Sequence, residues 1–412
     1  MNLTFRNILA LAASFLAGSL ISSTALDRAE ARQTPAEPPP KTATATPAFP
    51  ELMKKIKTGS VPEQEIATAL LVEYPDRVDE FAEPVGRFFI QPDESLQRVA
   101  RRLFDYTGKS TLPAVEKMFP AHQNRSREEN ARWRTACSLI HVLGEVAREP
   151  FEPRLLELLD SSTDPNLRIP VIYALNGFRH GSPQAIEKVL PELRDEDFNI
   201  SLTVCRLAIQ TGPGAEAAVD DLRDLLANGN LSQRTFAAWA LGSIGPVEGY
   251  DPLPELTAML DRYTLAERER ALAGIGLLGE HAAGLAPRVR ELMNGHKTNL
   301  EPRAAFVLWQ ITGEADDSLA RLQELGGQPD SEIPALDFLQ QMGPAAAPAV
   351  QWLVERSQAS DYSIRVGAVE ALGAVGDDPR AAARIAEMQS DPHPVVRLSA
   401  KLAQKQASNP DF

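Results

Sequence analysis

Cysteine is nearly missing: only Cys137 and Cys205 occur in 412 residues. Two thiols cannot supply the several bridges of a disulfide-stapled fold. Histidine is scarce too, confined to His122, His141, His180, His281, His296 and His393. No His-x-x-x-His or His-Glu pair places two ligands on one helix face, so the helix-borne zinc signatures are missing. Only the reversed Glu280-His281 is present. No Gly-x-Ser-x-Gly elbow or phosphate-binding loop is found either. Aromatic residues make up 6% of the chain, too few for a β-sandwich core, which favours β-branched and aromatic side chains. Long Lys/Arg runs are missing and the net charge is −14. A chain so acidic lacks the electrostatic footprint of a nucleic-acid binder, and it has little hold on anionic membranes. The expectation is a protein that is not an enzyme and carries no cofactor or metal.

What is present begins at the N-terminus. Arg6 precedes the apolar run Ile8–Ile21, and Ser22, Ser23, Thr24 and Ala25 follow it. That is the layout of a secretory signal, with a run too short to span a bilayer comfortably. Cleavage is expected after Ala25, and the alternative is an uncleaved N-terminal anchor. Removing residues 1–25 takes away one positive charge, leaving −15. Residues 26–50 hold Pro38, Pro39 and Pro40 in a Thr- and Ala-rich stretch, the composition of an extended linker. Residues 51–95 carry short amphipathic stretches and are expected to form a helical cap of irregular helices.

From Leu96 one unit recurs. Gly108, Gly144, Gly177, Gly212, Gly245, Gly279, Gly313, Gly343 and Gly376 each close a helix-like apolar pattern, 30 to 36 residues apart. Glycine is favoured just past a helix end, where a left-handed backbone costs it nothing. Nine to eleven residues before most of these glycines stands an arginine: Arg98, Arg134, Arg168, Arg234, Arg270, Arg303 and Arg365. Arg397 starts the pattern again. Asp164-Pro165 and Asp391-Pro392 provide N-cap and first-turn residues for the next helix. A second helix lies between each glycine and the next unit, giving two helices in about 34 residues. The eighth unit is shorter and holds Pro329, Pro334, Pro344 and Pro348, which puts its regularity in question. Two repeats separate the cysteines, about 20 Å at the usual helix spacing; they are read as core residues, too far apart for a disulfide.

The stretch Ser363-Ile364-Arg365-Val366-Gly367-Ala368-Val369-Glu370-Ala371-Leu372-Gly373-Ala374-Val375-Gly376 resembles the second helix of a HEAT repeat, in its short bacterial form. So does Gln233 through Gly245. The resemblance covers residues 96–405 and leaves 406–412 as a tail. It implies an all-α fold, an α-α superhelix (HEAT-like solenoid) of about nine helix pairs. The repeated arginine is then expected to bond acidic or carbonyl groups in the turns, with Asp164 beside Arg168 and Asp361 beside Arg365. Some HEAT-type proteins are di-iron hydroxylases that depend on repeated His-Glu motifs; those motifs are missing here. Gly274-Ile275-Gly276-Leu277-Leu278-Gly279 fits a dinucleotide-binding pattern only superficially, since it lies in a repeat helix; it is read as close helix packing.

Three functions remain open: an exported scaffold that binds a protein or peptide partner, a bilin-lyase-like protein, or a regulatory or targeting subunit of an exported enzyme complex. Export disfavours the second. Aligning the units on their glycines places Arg102, Arg206, Trp239, Asp337 and Glu370 in one register, with Asn176, Ser243 and Gln310 one turn on. This row is expected to face outward and bind the partner, with Trp239 and Arg206 as anchors. Packing of Trp239 between repeats is the alternative. Trp309, four residues before its glycine, is expected in the core.

Overall fold

The computed structural model describes residues 47–119, 126–179, 181–195, 198–262, 264–295, 300–328 and 331–407. The signal segment, most of the linker and the last five residues of the tail lie outside the described residues. So do His122, His180, His296 and Pro329.

The described elements are helical throughout, apart from one isolated bridge between Val247 and Tyr250. In chain order the α-helices are α1 Phe49–Thr58, α2 Val61–Leu70, α3 Val78–Gly86, α4 Glu94–Thr107, α5 Leu112–Met118 and α6 Arg127–Leu143. Next come α7 Glu145–Ser161, α8 Pro165–Leu175, α9 Pro183–Val189, α10 Phe198–Thr211, α11 Val219–Asn228 and α12 Leu231–Ile244. They are followed by α13 Leu253–Arg262, α14 Leu265–Leu277, α15 Ala286–Asn294, α16 Glu301–Thr312, α17 Asp316–Leu325 and α18 Glu332–Met342. The chain finishes with α19 Val350–Arg356, α20 Tyr362–Val375, α21 Pro379–Met388 and α22 Pro394–Ala407. Odd and even helices pair, so the fold is the expected stack of helix pairs. Pairing starts at α1 within the stretch expected to be a cap, and the proline-rich eighth unit still forms α17 and α18. In the stretch expected to be a cap, the regular helices alternate with short 3-10 segments at Leu71–Glu73, Pro75–Arg77 and Arg87–Ile90.

Burial explains why the even helices are richer in Ala, Gly and Leu. In α12 every residue from Ala237 to Ile244 is buried, as befits a helix with neighbours on several sides. In α11 the buried set is Val219, Leu222 and Leu225, a single stripe at helical spacing. Close approach of even helices depends on glycine. A Cβ on Gly242 of α12 would stand 2.4 Å from the Gly274 Cα of α14. One on Gly276 would stand 2.2 Å from the Gln310 side chain of α16. Gly274 and Gly276 therefore serve helix packing, as read from the sequence. Cys137 and Cys205 are both buried.

Eight of the nine expected glycines have positive φ; in the third unit Gly181 replaces Gly177. Their conformation corrects the expectation. Gly313 is left-handed helical, at φ 73° and ψ −2°. Gly108, Gly144, Gly245, Gly343 and Gly376 combine positive φ with ψ between −125° and −169°, a region open essentially to glycine alone. Several of these glycines lead into a 3-10 segment, as at Gly212–Ala218, Gly279–Leu285 and Gly343–Ala349.

The chain divides into two compact units. The middle unit is Gly144–Ala349. The terminal unit combines 47–143 with 350–407, so both ends of the described chain belong to it. There α22 packs on α2 and α4 as well as on α20 and α21. Lys401 Nζ donates to Glu73 at 2.7 Å, Lys405 Nζ to the Tyr106 carbonyl at 2.6 Å, and the Tyr362 hydroxyl to Glu65 at 3.1 Å.

Candidate functional site

The repeated arginine does what the resemblance implied, with other partners than expected. Arg168, Arg234 and Arg365 each stand four residues after their helix N-cap, at Asp164, Asn230 and Asp361. Arg168 donates to Glu192 and to carbonyls of Leu159, Ser162 and Lys188. Arg234 donates to Glu267 at 2.7 Å and to the Gly229 carbonyl at 2.8 Å. Arg365 grips Asp391 with two bonds of 2.9 Å and holds the carbonyls of Ala359 and Ser360. Each guanidinium thus ties the turn before its own helix to a carboxylate further along the chain. Asp164 and Asp361 are not these carboxylates; their side chains cap the helix N-termini instead.

Arg270 and Arg303 do not belong to this ladder. They stand six and three residues after the caps of their helices, Thr264 and Leu300. A nine-to-eleven window counted from the glycine covers two steps of about 100°, more than half a helical turn. It therefore merged two faces of the helix.

That second face carries a row of cations and rings in the middle unit. The Arg206 guanidinium of α10 lies 5.0 Å from the Phe236 ring centre of α12. Arg270 of α14 lies 5.7 Å from the same ring and 4.8 Å from Trp239. On α16, Arg303 lies 4.8 Å from Phe338 of α18, whose ring stacks on Phe306 at 5.0 Å. Phe306 in turn contacts Trp309 at 5.5 Å. Buried Nε of Arg206, Nη1 of Arg270 and Nε of Arg303 have no hydrogen-bond partner. Burial holds the Arg206 guanidinium below its ordinary range. Burial also pushes Arg270 down to about 10; Glu269 opposes this, while the charges of Arg303 and Arg206 add to it.

The outward row expected from the sequence is corrected in most of its members. Trp239 is 3% exposed and lies under Arg270, so the alternative of packing between repeats holds. Ser243 is buried and donates to the Ile209 carbonyl at 2.6 Å. Asn176 is buried and donates to the Thr203 carbonyl at 3.3 Å, and Gln310 is buried beside Gly276. Arg206 is half-buried, whereas Asp337 is exposed as expected. Trp309, expected in the core, is half-buried. The cause is helix length: α12 has 14 residues and α16 has 12. Counting back from the glycine therefore rotates Trp309 by about 200° relative to Trp239. Counted from the caps, both stand nine residues in. Arg270, Phe236, Phe306 and Phe338 were missed for the same reason, and cap-based alignment would have found the first three.

Arg102 and Glu370 occupy the same register in the terminal unit, and there they bond each other in a bidentate pair. Ser399 also donates to Glu370, at 3.0 Å. Asp105 stands next to this pair, and burial pushes its carboxyl from 3.8 up to about 6. Arg101 opposes the shift, Glu370 adds to it, and Arg102 opposes it. A raised acid favours its neutral form in the fold. Its stabilising contribution is complete below pH 4 and is lost as pH rises through about 6. Asp105→Asn is expected to match the parent at pH 4 and exceed it at pH 8 by about 2 kcal/mol. Urea unfolding at the two pH values checks this, and equal differences at both would refute it.

No group of three metal-ligating side chains gathers among the described residues, and none of their helices is long and apolar enough to cross a membrane. The fold is a HEAT-like α-solenoid. No protein-family model matches the chain, and no curated protein matches it. Among solved structures, the complex of CpcE and CpcF of phycocyanin lyase from Nostoc sp. PCC7120 is similar over 61% of this chain and 93% of its own. Identity there is 18% and the TM-score 0.41. Kap121p is similar over 87% of this chain and 49% of its own, at 14% identity and TM-score 0.40. An engineered protein covers 89% of this chain and 100% of its own, at 14% identity and TM-score 0.34. With TM-scores this low, the fold assignment rests on the helix pairs described above.

Proposed function

We propose that this chain is an exported, non-enzymatic scaffold that binds a protein or peptide partner along the even helices of its middle unit. The observation that carries the reading is the row Arg206, Phe236, Arg270, Arg303 and Trp309. It gathers the residue types in which binding energy concentrates, and its guanidiniums are left short of internal partners. Stacked helix pairs offer extended surfaces of this kind. Export is supported by the Ile8–Ile21 run and the small residues ending at Ala25. No observation favours the bilin-lyase or enzyme-subunit readings over this one.

The test uses the protein recovered from its own cell envelope. Its N-terminal sequence is expected to begin at Leu26, and a partner is expected to co-purify in a fixed ratio. Trp309→Ala should reduce recovery of that partner at least tenfold while leaving helicity and melting temperature unchanged. An intact Met1 on cytosolic protein would remove export. Recovery of the partner undiminished by Trp309→Ala would remove the binding row.

A further inference from the structure

We propose that Arg206, Arg270 and Arg303 form a carboxylate-binding site that takes an acidic stretch of polypeptide. This rests on the scaffold reading and names the chemistry of its partner.

The argument starts from how this chain treats its other arginines. Arg168, Arg234 and Arg365 each have a carboxylate and backbone carbonyls on their guanidiniums. Buried polar groups in folded proteins are nearly always satisfied in this way. Arg206 and Arg270 break the rule. Among the described residues, no carboxylate reaches either within ion-pair distance, although Arg270 is only 7% exposed. Arg303 has one carboxylate, Glu269, at 3.4 Å, and its Nε is still unbonded. Three guanidiniums therefore share one internal counter-charge, in a chain whose net charge is −14.

The rings fix the shape of what is missing. Arg206 and Arg270 both lie over Phe236, so their guanidiniums stand within about 11 Å of one another. A guanidinium held against a ring still presents the N–H groups at its edge, and that fork matches a carboxylate bidentately. A bound carboxylate offsets the mutual repulsion of the three cations. The cations sit on α10, α14 and α16, one or two helices apart, so an extended ligand that follows the even helices meets all of them. Neighbouring helices lie about 8–10 Å apart, and an extended chain covers that in about three residues. Glutamates spaced along a peptide fit this arrangement.

The test titrates the full mature chain at low ionic strength with an acetylated, amidated octaglutamate, following tryptophan fluorescence. Octaglutamine and sodium sulfate are run beside it. Octaglutamate is expected to bind and to raise the melting temperature, and octaglutamine is expected to do neither. The double variant Arg206→Met/Arg270→Met should weaken octaglutamate binding at least tenfold. Arg380→Met, which removes an exposed arginine paired with Asp378, should leave binding unchanged. The methionines keep the apolar stems, and without ligand the double variant should melt no lower than the parent, because it loses one buried and one half-buried charge that have no carboxylate partner. No binding of octaglutamate, or equal binding by the double variant, overturns the site. Equal stabilisation by sulfate overturns the peptide assignment and leaves only a small-anion site. The titration needs no natural partner, so it can fail while the scaffold reading stands: a partner captured equally by parent and double variant gives that result.

Discussion

Deleting residues 394–412 is expected to unfold the terminal unit, including helices some 300 residues earlier in the chain. Helix α22 buries Val395, Val396, Leu398 and Leu402, none more than 5% exposed. At about 1.5–3 kcal/mol for each such side chain, the loss is roughly 6–12 kcal/mol, comparable with the stability of a whole domain. In an array whose two ends do not touch, losing the last helix disturbs mainly its immediate neighbours. Here α22 rests on α2 and α4, so amide exchange in Val61–Leu70 and Glu94–Thr107 should accelerate along with that in α20. Unchanged protection of α2 and α4 in the truncated chain would show that the contact between the ends contributes little.

Arg365→Met should cost about 3–5 kcal/mol, the usual penalty for leaving one member of a buried ion pair alone. Arg365 is 9% exposed and its partner Asp391 also 9%, and both ends of the guanidinium are occupied. Asp391 would keep the backbone N–H of His393 as a donor. Arg77→Met, at an exposed pair with Glu80, should cost less than about 1 kcal/mol. Adding Asp391→Leu to Arg365→Met should restore much of the loss, because the orphaned carboxylate is then gone. Chemical denaturation of the four proteins decides this, and similar costs for Arg365→Met and Arg77→Met would contradict the geometry.

The helix pairs were legible because two local signals repeat with the period of the fold. Glycine at the end of most even helices and a cap followed four residues later by arginine both mark helix boundaries. What was not legible was rotation about the helix axis. The glycine rule located the end of α16 correctly and yet turned Trp309 and Trp239 to the wrong faces, since a difference of two residues is more than half a turn. A side chain such as Ser243 also gave no hint that it would bond Ile209 of the preceding even helix. The pairing of Arg102 with Glu370 could not be read at all. Their separation of 268 residues leaves no trace in any local pattern, and it follows only from the meeting of α4 with α20 and α22.

The order in which the two units can form follows from that meeting. The middle unit is one unbroken stretch, Gly144–Ala349, and its packing is mostly between helices close in sequence, the kind that folds quickly. The terminal unit has the opposite history. Helices α1 to α4 are made first, but the surface of α2 and α4 that α22 covers must wait for the final residues of the chain. Closing so long a loop before its contacts are gained is a slow step. Throughout that wait the face of α2 and α4 that α22 covers is open to aggregation.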